Sequence, residues 1–398
     1  MTKKSGNRAL FWTVLIIAFV QGPQLAIAPG IEVITTEIFP ERALQTIQTV
    51  MALPSFITIA AGFATALLVG FGIASKKALC TAGIIFLTMT GVSALLLNTQ
   101  FWHLILMNTF IGLGMGFCIP NIHSIMFDNF EEKELRTLVG MQPVFINAGG
   151  ITMSVLGGLL ITIVWYGGHL VTFLAAPAVV AALLFIPKDK RMKSGDGIQR
   201  AKLPKRVFYY VALIIVFFLV HNVGSMNLST HLARGGVGDA GTAGFVIAVM
   251  LFGGIIGGLI FPKVSPLLRD GIFPLTFLLV FTSYSIFNLF SRSLGMLLVA
   301  MVFSGIAFVL LMATCIFGTS VITDPTNSAT ASMLIVGVAP GIGSFLSPVI
   351  ITNLTLVLGG DSTRFRYQFT AFVSLAIAVL TFIAAKRMAK NTSQPPAQ

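Results

Sequence analysis

The chain has 398 residues, of which 56% are hydrophobic and only 10% are charged. Soluble globular proteins carry roughly a quarter charged residues, so this composition excludes an ordinary soluble domain and indicates a protein that faces a lipid bilayer. A net charge of +12 would suit a nucleic-acid partner, but the placement of the charges along the chain argues against one.

The apolar segments predict twelve spanning helices, because a helix needs about 20 apolar residues to cross the hydrocarbon core. The first segment follows a basic stretch, residues 1–8, as in a signal peptide. Its length and the many similar segments after it favour a spanning helix instead. In chain order the predicted spans are 10–30, 45–70, 77–97, 101–122, 138–163, 168–187, 207–228, 241–262, 272–290, 294–318, 331–356 and 366–386.

The basic residues predict the orientation of these helices. With both termini in the cytoplasm, 20 of the 25 lysines and arginines lie on the cytoplasmic side. This excess follows the positive-inside rule and accounts for the net charge without nucleic acid. We therefore expect a multi-pass protein of the plasma (inner) membrane, with both termini cytoplasmic. The five basic residues expected outside are Arg42, Arg234, Arg292, Arg364 and Arg366.

The sequence divides into two similar halves. The polar run 188–206 is predicted to be a cytoplasmic linker between an N-terminal six-helix bundle, 1–187, and a C-terminal bundle with a short tail, 207–398. The segments that begin at Arg8 and Arg206 resemble one another, and Gln24 and Asn222 fall at equal positions in them. Duplicated halves of this kind place a substrate site at their interface, near the middle of the bilayer.

The fourth predicted span has Leu104, then Asn108, then glycines at 112, 114 and 116. This pattern resembles the fourth helix of the major facilitator superfamily, although Asn108 stands where many members have arginine. Segment 29–32 and the loop 127–136 are also similar to segments of that family. The resemblance covers nearly the whole chain. It implies an all-α membrane protein of 12 transmembrane helices in two pseudo-symmetric six-helix bundles, which works by alternating access.

The fifth predicted span is similar to the antiporter motif of the same family. Its glycines at 140, 149, 157 and 158 match the motif's spacing, but Met153 and Ser154 replace the central Gly-Pro. The loop between spans two and three keeps the basic pair Lys76 and Lys77 without the family's acidic residue. The resemblance therefore gives a hint of antiport and does not name a substrate.

Eight polar residues are predicted at membrane depth, where an unpaired polar group is costly. They either line a polar, largely neutral cavity that binds a small solute or form hydrogen bonds between helices. The resemblance implies that helices one, four, seven and ten line the cavity. The eight substrate-binding candidates are Gln21, Gln24, Asn108, Gln142, Asn147, His221, Asn222 and Asn227. Gln21 and Gln24 are one helical turn apart, which would put them on one helix face.

Two residues are candidates for proton coupling. His221 is predicted near the middle of span seven, and histidine is the side chain whose charge changes most easily near neutral pH. The alternative is a neutral histidine bonded to a neighbouring helix. Glu32 is predicted just beyond span one, where it would carry a proton, close an outer gate or simply be solvated. No carboxylate is predicted within a span, which favours uniport, or symport through His221. No basic side chain is predicted at mid-depth, which disfavours multiply charged anions as substrates.

Small residues in three spans are predicted to allow close helix packing or bending during transport. These residues are Gly149, Gly157, Gly158, Gly254, Gly258, Gly341 and Pro348.

Nothing in the sequence predicts an enzyme, a cofactor or a metal site. The glycines at 236, 238 and 241 match a dinucleotide fingerprint by letters, but they lie in a loop between spans and lack the required strand. Cys80, Cys118 and Cys315 fall in apolar stretches, where we expect them to pack.

The most favoured function is a monomeric secondary transporter that exports a small organic solute in exchange for protons. Uptake by proton symport or uniport is the alternative. A non-transporting sensor or a lipid-handling protein on the same fold is a third reading.

Overall fold

The computed structural model describes residues 8–187, 203–323, 331 and 333–392. Within these ranges the chain is helical and contains no strand. Most of the predicted linker lies outside the described residues. By contacts the chain divides into two units. Unit 1 comprises Met1–Ala201 and Gly238–Ala248, and unit 2 comprises Lys202–Val237 and Val249–Gln398.

The first nine helices belong to unit 1. Apolar side chains fill its interior, while others such as Phe56 and Leu67 face outward, as expected of helices surrounded by lipid. The helices are α1 Arg8–Phe19, α2 Pro23–Ile27, α3 Ile31–Val33, α4 Leu44–Gly70, α5 Lys76–Leu96, α6 Phe101–Asn129, α7 Glu132–Ile161, α8 Gly167–Leu170 and α9 Ala176–Phe185. The 3-10 segments Ala28–Gly30 and Val171–Ala175 and the π segment Ile34–Ile38 connect some of them.

The first span is longer and less regular than predicted. It runs from Arg8 to Ile38, rather than from 10 to 30, and is interrupted between α1 and α2. Pro23 lacks the N–H that would bond the carbonyl of Phe19, and Gly22 has a non-helical backbone (φ −113°, ψ 32°). The prediction that Gln21 and Gln24 share one face of a continuous helix is therefore wrong, because Gln21 lies in the break after α1 and Gln24 lies in α2.

The remaining helices are α10 Lys205–Arg234, α11 Ala240–Leu268, α12 Ile272–Leu289, α13 Leu294–Ile322, α14 Ala339–Ser347, α15 Asn353–Gly359 and α16 Thr363–Thr392. All lie in unit 2, except that the first residues of α11 belong to unit 1. The π segments Met333–Val338 and Pro348–Thr352 flank α14. Pro348 begins the second of them, so this predicted helix-distorting residue does lie at an irregularity.

Eleven helical runs in the described residues are long and apolar enough to cross a membrane. One of them, Ala240–Leu289, has 50 residues and contains both α11 and α12. The 3-10 turn Arg269–Gly271 separates these two helices, and Arg269 there has a positive φ of 49°. A continuous helix of that length would be about 75 Å long, more than twice the hydrocarbon core.

Candidate functional site

Gln21 lies in the break of the first span, and Gln24 lies in the first turn of α2. Both side chains are half-buried. The Gln24 Nε2 donates a 3.3 Å hydrogen bond to the Ser55 hydroxyl of α4, and the Gln21 Nε2 has no hydrogen-bond partner. A buried amide nitrogen without a partner is costly, so the Gln21 Nε2 can still donate a hydrogen bond to an acceptor on a polar ligand.

Asn108 is fully buried within unit 1. Its Nδ2 donates to the Leu104 carbonyl at 2.9 Å, and the same nitrogen lies 4.0 Å from the sulfur of Met51 on α4. Its side chain faces the contact between α6 and α4, and its Oδ1 has no hydrogen-bond partner.

Gln142 is also buried and forms a bond between helices. Its Nε2 lies 3.1 Å from Nε2 of His123, whose Nδ1 lies 2.8 Å from the Ile119 carbonyl. Since a carbonyl oxygen only accepts, Nδ1 carries the imidazole proton and Nε2 accepts from the Gln142 amide. The pair ties α6 to α7. Asn147, five residues further along α7, is half-buried.

Glu32 lies inside the first span rather than beyond it. Its side chain is buried in the short helix α3, and the Thr36 hydroxyl donates to its carbonyl oxygen at 2.9 Å. The prediction that no carboxylate lies within a span is wrong, because the helical run continues through Glu32 to Ile38.

His221 packs between two aromatic rings in unit 2. The ring of Phe217 stacks on one side at 4.9 Å between centroids, and that of Phe308 lies at 5.7 Å. The His221 Nε2 is 3.2 Å from the Ser304 carbonyl and 3.0 Å from its hydroxyl. Because a carbonyl oxygen only accepts, Nε2 carries a proton, and its hydrogen bond to Ser304 joins His221 to α13.

Asn222 is the neighbour of His221, but its surroundings differ. Its side chain is half-buried, and Nδ2 lies 3.5 Å from the Ser344 carbonyl of α14, at the limit of a hydrogen bond. Such a long bond is easily exchanged for one to a ligand.

Asn227, further along α10, is buried in an ionic network. Its Nδ2 donates to the Val223 carbonyl, and its Oδ1 accepts a 3.1 Å hydrogen bond from Arg366. The fully buried Arg366 also donates to Asp361, which pairs with Arg234 at 2.9 Å. Burial would raise the pKa of the Asp361 carboxyl, but the hydrogen bonds and charges of the two arginines hold that pKa below its ordinary value.

Arg366 was missed by sequence reasoning, which counted it among solvated outer residues. The span was predicted to begin at 366 from its apolar residues, whereas α16 begins at Thr363 and places Arg366 in the first helical turn. The signal that could have found it is Asp361, an acidic partner five residues upstream.

The basic pair Lys76 and Lys77 has structural partners within unit 1. Lys76 forms a 2.6 Å ion pair with Asp128, at the end of α6. The Lys77 ammonium donates to the carbonyls of Leu183 and Ile186, where α9 ends. A cation at a helix C-terminus satisfies carbonyls that have no partner in the helix.

Three predicted packing glycines lie where α7 approaches other helices of unit 1. A Cβ on Gly149 would collide with the Phe19 carbonyl, and one on Gly157 would collide with that of Ala26. On Gly158 it would lie 2.6 Å from the Ala240 carbonyl. Backbone atoms cannot move aside easily, so the prediction of close packing fits these three positions.

In unit 2 the predicted glycines differ from one another. A Cβ on Gly254 would meet the Val309 side chain at 3.1 Å, whereas one on Gly258 would meet it at an ordinary 3.9 Å. Gly258 is exposed, and the neighbouring Gly253 is the residue that lies against backbone, 2.5 Å from the Val302 carbonyl. Gly341 and Pro348 are buried at α14 and at its end.

The described residues contain no group of three or more His, Cys, Asp or Glu side chains that could hold a metal ion. The thiols of Cys80 and Cys118 lie 3.9 Å apart, buried between α5 and α6.

Solved structures of transporters share this fold. A bacterial homolog of the human lysosomal transporter Spinster has a TM-score of 0.70 at 18% identity, over 98% of each chain. The nucleoside transporter NupG has a TM-score of 0.70 at 12% identity, over 94% of this chain and 98% of its own. A POT family transporter in complex with a thioalcohol-conjugated peptide has 0.74 at 14% identity, over 96% of each chain.

No curated protein sequence matches the chain. The model of the Major Facilitator Superfamily matches residues 10–348, most of the sequence. The helical fold, the spanning lengths and this match agree, and the chain belongs to the Major Facilitator Superfamily.

Proposed function

We propose that this protein is a secondary transporter that exports a small organic solute across the plasma membrane by alternating access, in exchange for protons. The proposal includes twelve spans in two six-helix bundles, 1–187 and 207–398, joined by the linker 188–206. It also includes cytoplasmic termini and a monomeric protein in a lipid bilayer. The nucleoside and peptide transporters that share the fold support a solute of small organic type.

The observation that carries proton coupling is the burial of Glu32 within the first span. Ionisable residues inside membrane segments are costly, and they commonly mark ion or proton pathways. We propose Glu32 as the proton carrier in preference to His221, whose ring is enclosed by two phenylalanines and bonded to Ser304.

The exposure of their side chains divides the eight polar candidates for solute binding into two groups. Asn108, Gln142, His221 and Asn227 are buried and bonded to neighbouring groups. Gln21, Gln24, Asn147 and Asn222 are half-buried. We propose the second group as the solute contacts. Their amides both donate and accept hydrogen bonds, which suits a neutral or zwitterionic polar solute.

The test uses purified protein in lipid vesicles. Nucleosides, short peptides and amino-acid-like solutes are first screened by the rise in thermal unfolding temperature on binding. Flux of a stabilising solute is then measured with and without an imposed pH gradient. We expect flux to follow the gradient in the parent and in His221→Ala, and to lose that dependence in Glu32→Gln.

Other results would select other functions. Flux that does not depend on the pH gradient in the parent, in His221→Ala and in Glu32→Gln would indicate uniport. Solute moving with protons rather than against them would mean uptake by symport. Binding of solute without any flux would support the sensor reading, and each of these outcomes would overturn proton-coupled export.

A further inference from the structure

The hydroxyl of Tyr284 contacts backbone groups that belong to a single turn of α10. It accepts a 2.9 Å hydrogen bond from the Gly224 N–H. The carbonyl oxygens of Val220 and His221 lie 2.9 Å and 2.6 Å from the same hydroxyl, which can donate to one of them. One side chain of α12 thus contacts three backbone groups of a neighbouring helix.

In a regular α-helix the Gly224 N–H would bond only the Val220 carbonyl, four residues earlier. A side chain inserted into this ladder is a known cause of helix bending. In a membrane protein the backbone groups at such an insertion must find hydrogen-bond partners within the protein, because lipid offers no hydrogen bonds. Tyr284 supplies an acceptor for the Gly224 N–H and a donor for one of the two carbonyls.

Gly224 makes room for the insertion. A Cβ at this position would lie 3.1 Å from the Tyr284 hydroxyl and 3.3 Å from its ring. The carbonyl of Gly224 accepts a further hydrogen bond, at 3.3 Å, from the hydroxyl of Tyr367 on α16. The two tyrosine rings lie 5.4 Å apart and are fully buried, so the hydroxyl of Tyr284 is held in place.

The same turn carries Asn222, one of the proposed solute contacts. His221 and Asn222 lie between Val220 and Gly224, and only the Asn222 side chain of the two is half-exposed. We propose that Tyr284 is a positioning residue, which fixes a bend in α10 at residues 220–224 and thereby sets the direction of the Asn222 side chain. The role of Asn222 rests on the proposed function, but the bend itself does not.

The test is the rate at which N-ethylmaleimide alkylates a cysteine introduced by Asn222→Cys, in the full chain in lipid vesicles. The three native cysteines are buried and give the background. Tyr284→Phe removes only the hydroxyl. Since one buried hydrogen bond is worth about a fivefold change in a conformational equilibrium, we expect the alkylation rate to change at least about fivefold.

Two controls test whether the change in alkylation rate is specific to the turn of α10 at residues 220–224. Tyr209→Phe removes another hydroxyl of unit 2, one that has no hydrogen-bond partner, and should leave the rate within about twofold of the parent. Gln24→Cys reports on unit 1, and its alkylation should not respond to Tyr284→Phe. If Tyr284→Phe does not yield a monodisperse protein, Gly224→Ala replaces it, because its Cβ displaces the same hydroxyl.

An unchanged rate at position 222 in Tyr284→Phe, or in Gly224→Ala where that variant is used, overturns the proposal. An equal change in the alkylation rate of Gln24→Cys, or an equal change caused by Tyr209→Phe, overturns the proposal as well. Either result would show a general loosening of the protein rather than a local effect on α10. Alkylation requires no solute, so this result is independent of whether transport is proton-coupled. A bend confirmed here together with unchanged solute affinity in Asn222→Ala would reject the proposed solute contact and keep the bend.

Discussion

Arg366 donates a 2.6 Å hydrogen bond to Asp361, although the arginine side chain is completely buried and that of Asp361 is 46% exposed. The pair therefore joins the interior of unit 2 to the loop before α16. Removing one partner of such a pair is costly, because the remaining charge has lost its acceptor in a poorly solvated place.

Asp361→Asn should lower the stability of the protein by about 2 kcal/mol, less than for a fully buried pair because solvent screens the aspartate. The measurement is the midpoint of thermal unfolding in detergent. Glu41→Gln is the matched control, since it breaks the exposed pair with Arg42 and should leave the midpoint unchanged. A drop of equal size in both variants would contradict a special role for the Asp361–Arg366 pair.

Stability should also fall in acid through Asp361. Its pKa is lowered in the folded protein, so its contribution is complete above the ordinary carboxyl value of 3.8 and is lost as the pH falls through the lower folded value. Thermal unfolding followed from pH 6 to pH 3 should therefore show a smaller acid-dependent loss in Asp361→Asn than in the parent. Identical pH profiles would show that Asp361 is not the group responsible.

The glycines of α7 should tolerate no side chain. In Gly149→Ala the new Cβ meets the Phe19 carbonyl, and we expect a loss of at least about 2 kcal/mol, or failure to accumulate as folded protein. Gly258→Ala is the control, because that glycine is exposed and has only an ordinary contact with Val309. The comparison uses thermal unfolding and yield after size-exclusion chromatography. Equal behaviour of the two variants would refute the packing role of Gly149.

The polar candidates should separate into two groups by experiment. Gln24→Ala should weaken solute affinity several-fold with little change in thermal stability, because its side chain is half-buried. Asn108→Ala should lower thermal stability with little change in solute affinity, since its buried amide faces Met51 and the Leu104 carbonyl. Affinity is measured by the solute concentration that gives half-maximal flux. Weakened affinity in Asn108→Ala at unchanged stability would reverse the assignment.

Much of the fold could be predicted because the length and hydrophobicity of a spanning helix are properties of a continuous segment. Helix ends were less predictable. The unbroken apolar run of the first span ends at Ile31, yet the helical run continues through Glu32 to Ile38. Pro23 did carry a readable signal for the break after Phe19, since proline removes a backbone donor.

Which of the polar side chains are accessible could not be read from the sequence. His221 and Asn222 are adjacent, yet one is enclosed by Phe217 and Phe308 while the other is half-exposed. That difference depends on the rotation of α10 against α13 and α14, which is set by packing between distant segments. The same holds for Arg366 and Asn227, which are 139 residues apart and meet only in the folded unit.

Coupling between solute and protons is tested most directly by asking whether a solute gradient drives proton movement. The vesicles contain the protein and a pH-sensitive dye but have no imposed pH gradient. A gradient of the identified solute alone should drive protons in the direction opposite to the solute in the parent protein. Glu32→Gln should bind the solute and move no protons. Solute flux without proton movement in the parent, or normal proton movement in Glu32→Gln, would contradict proton exchange through Glu32.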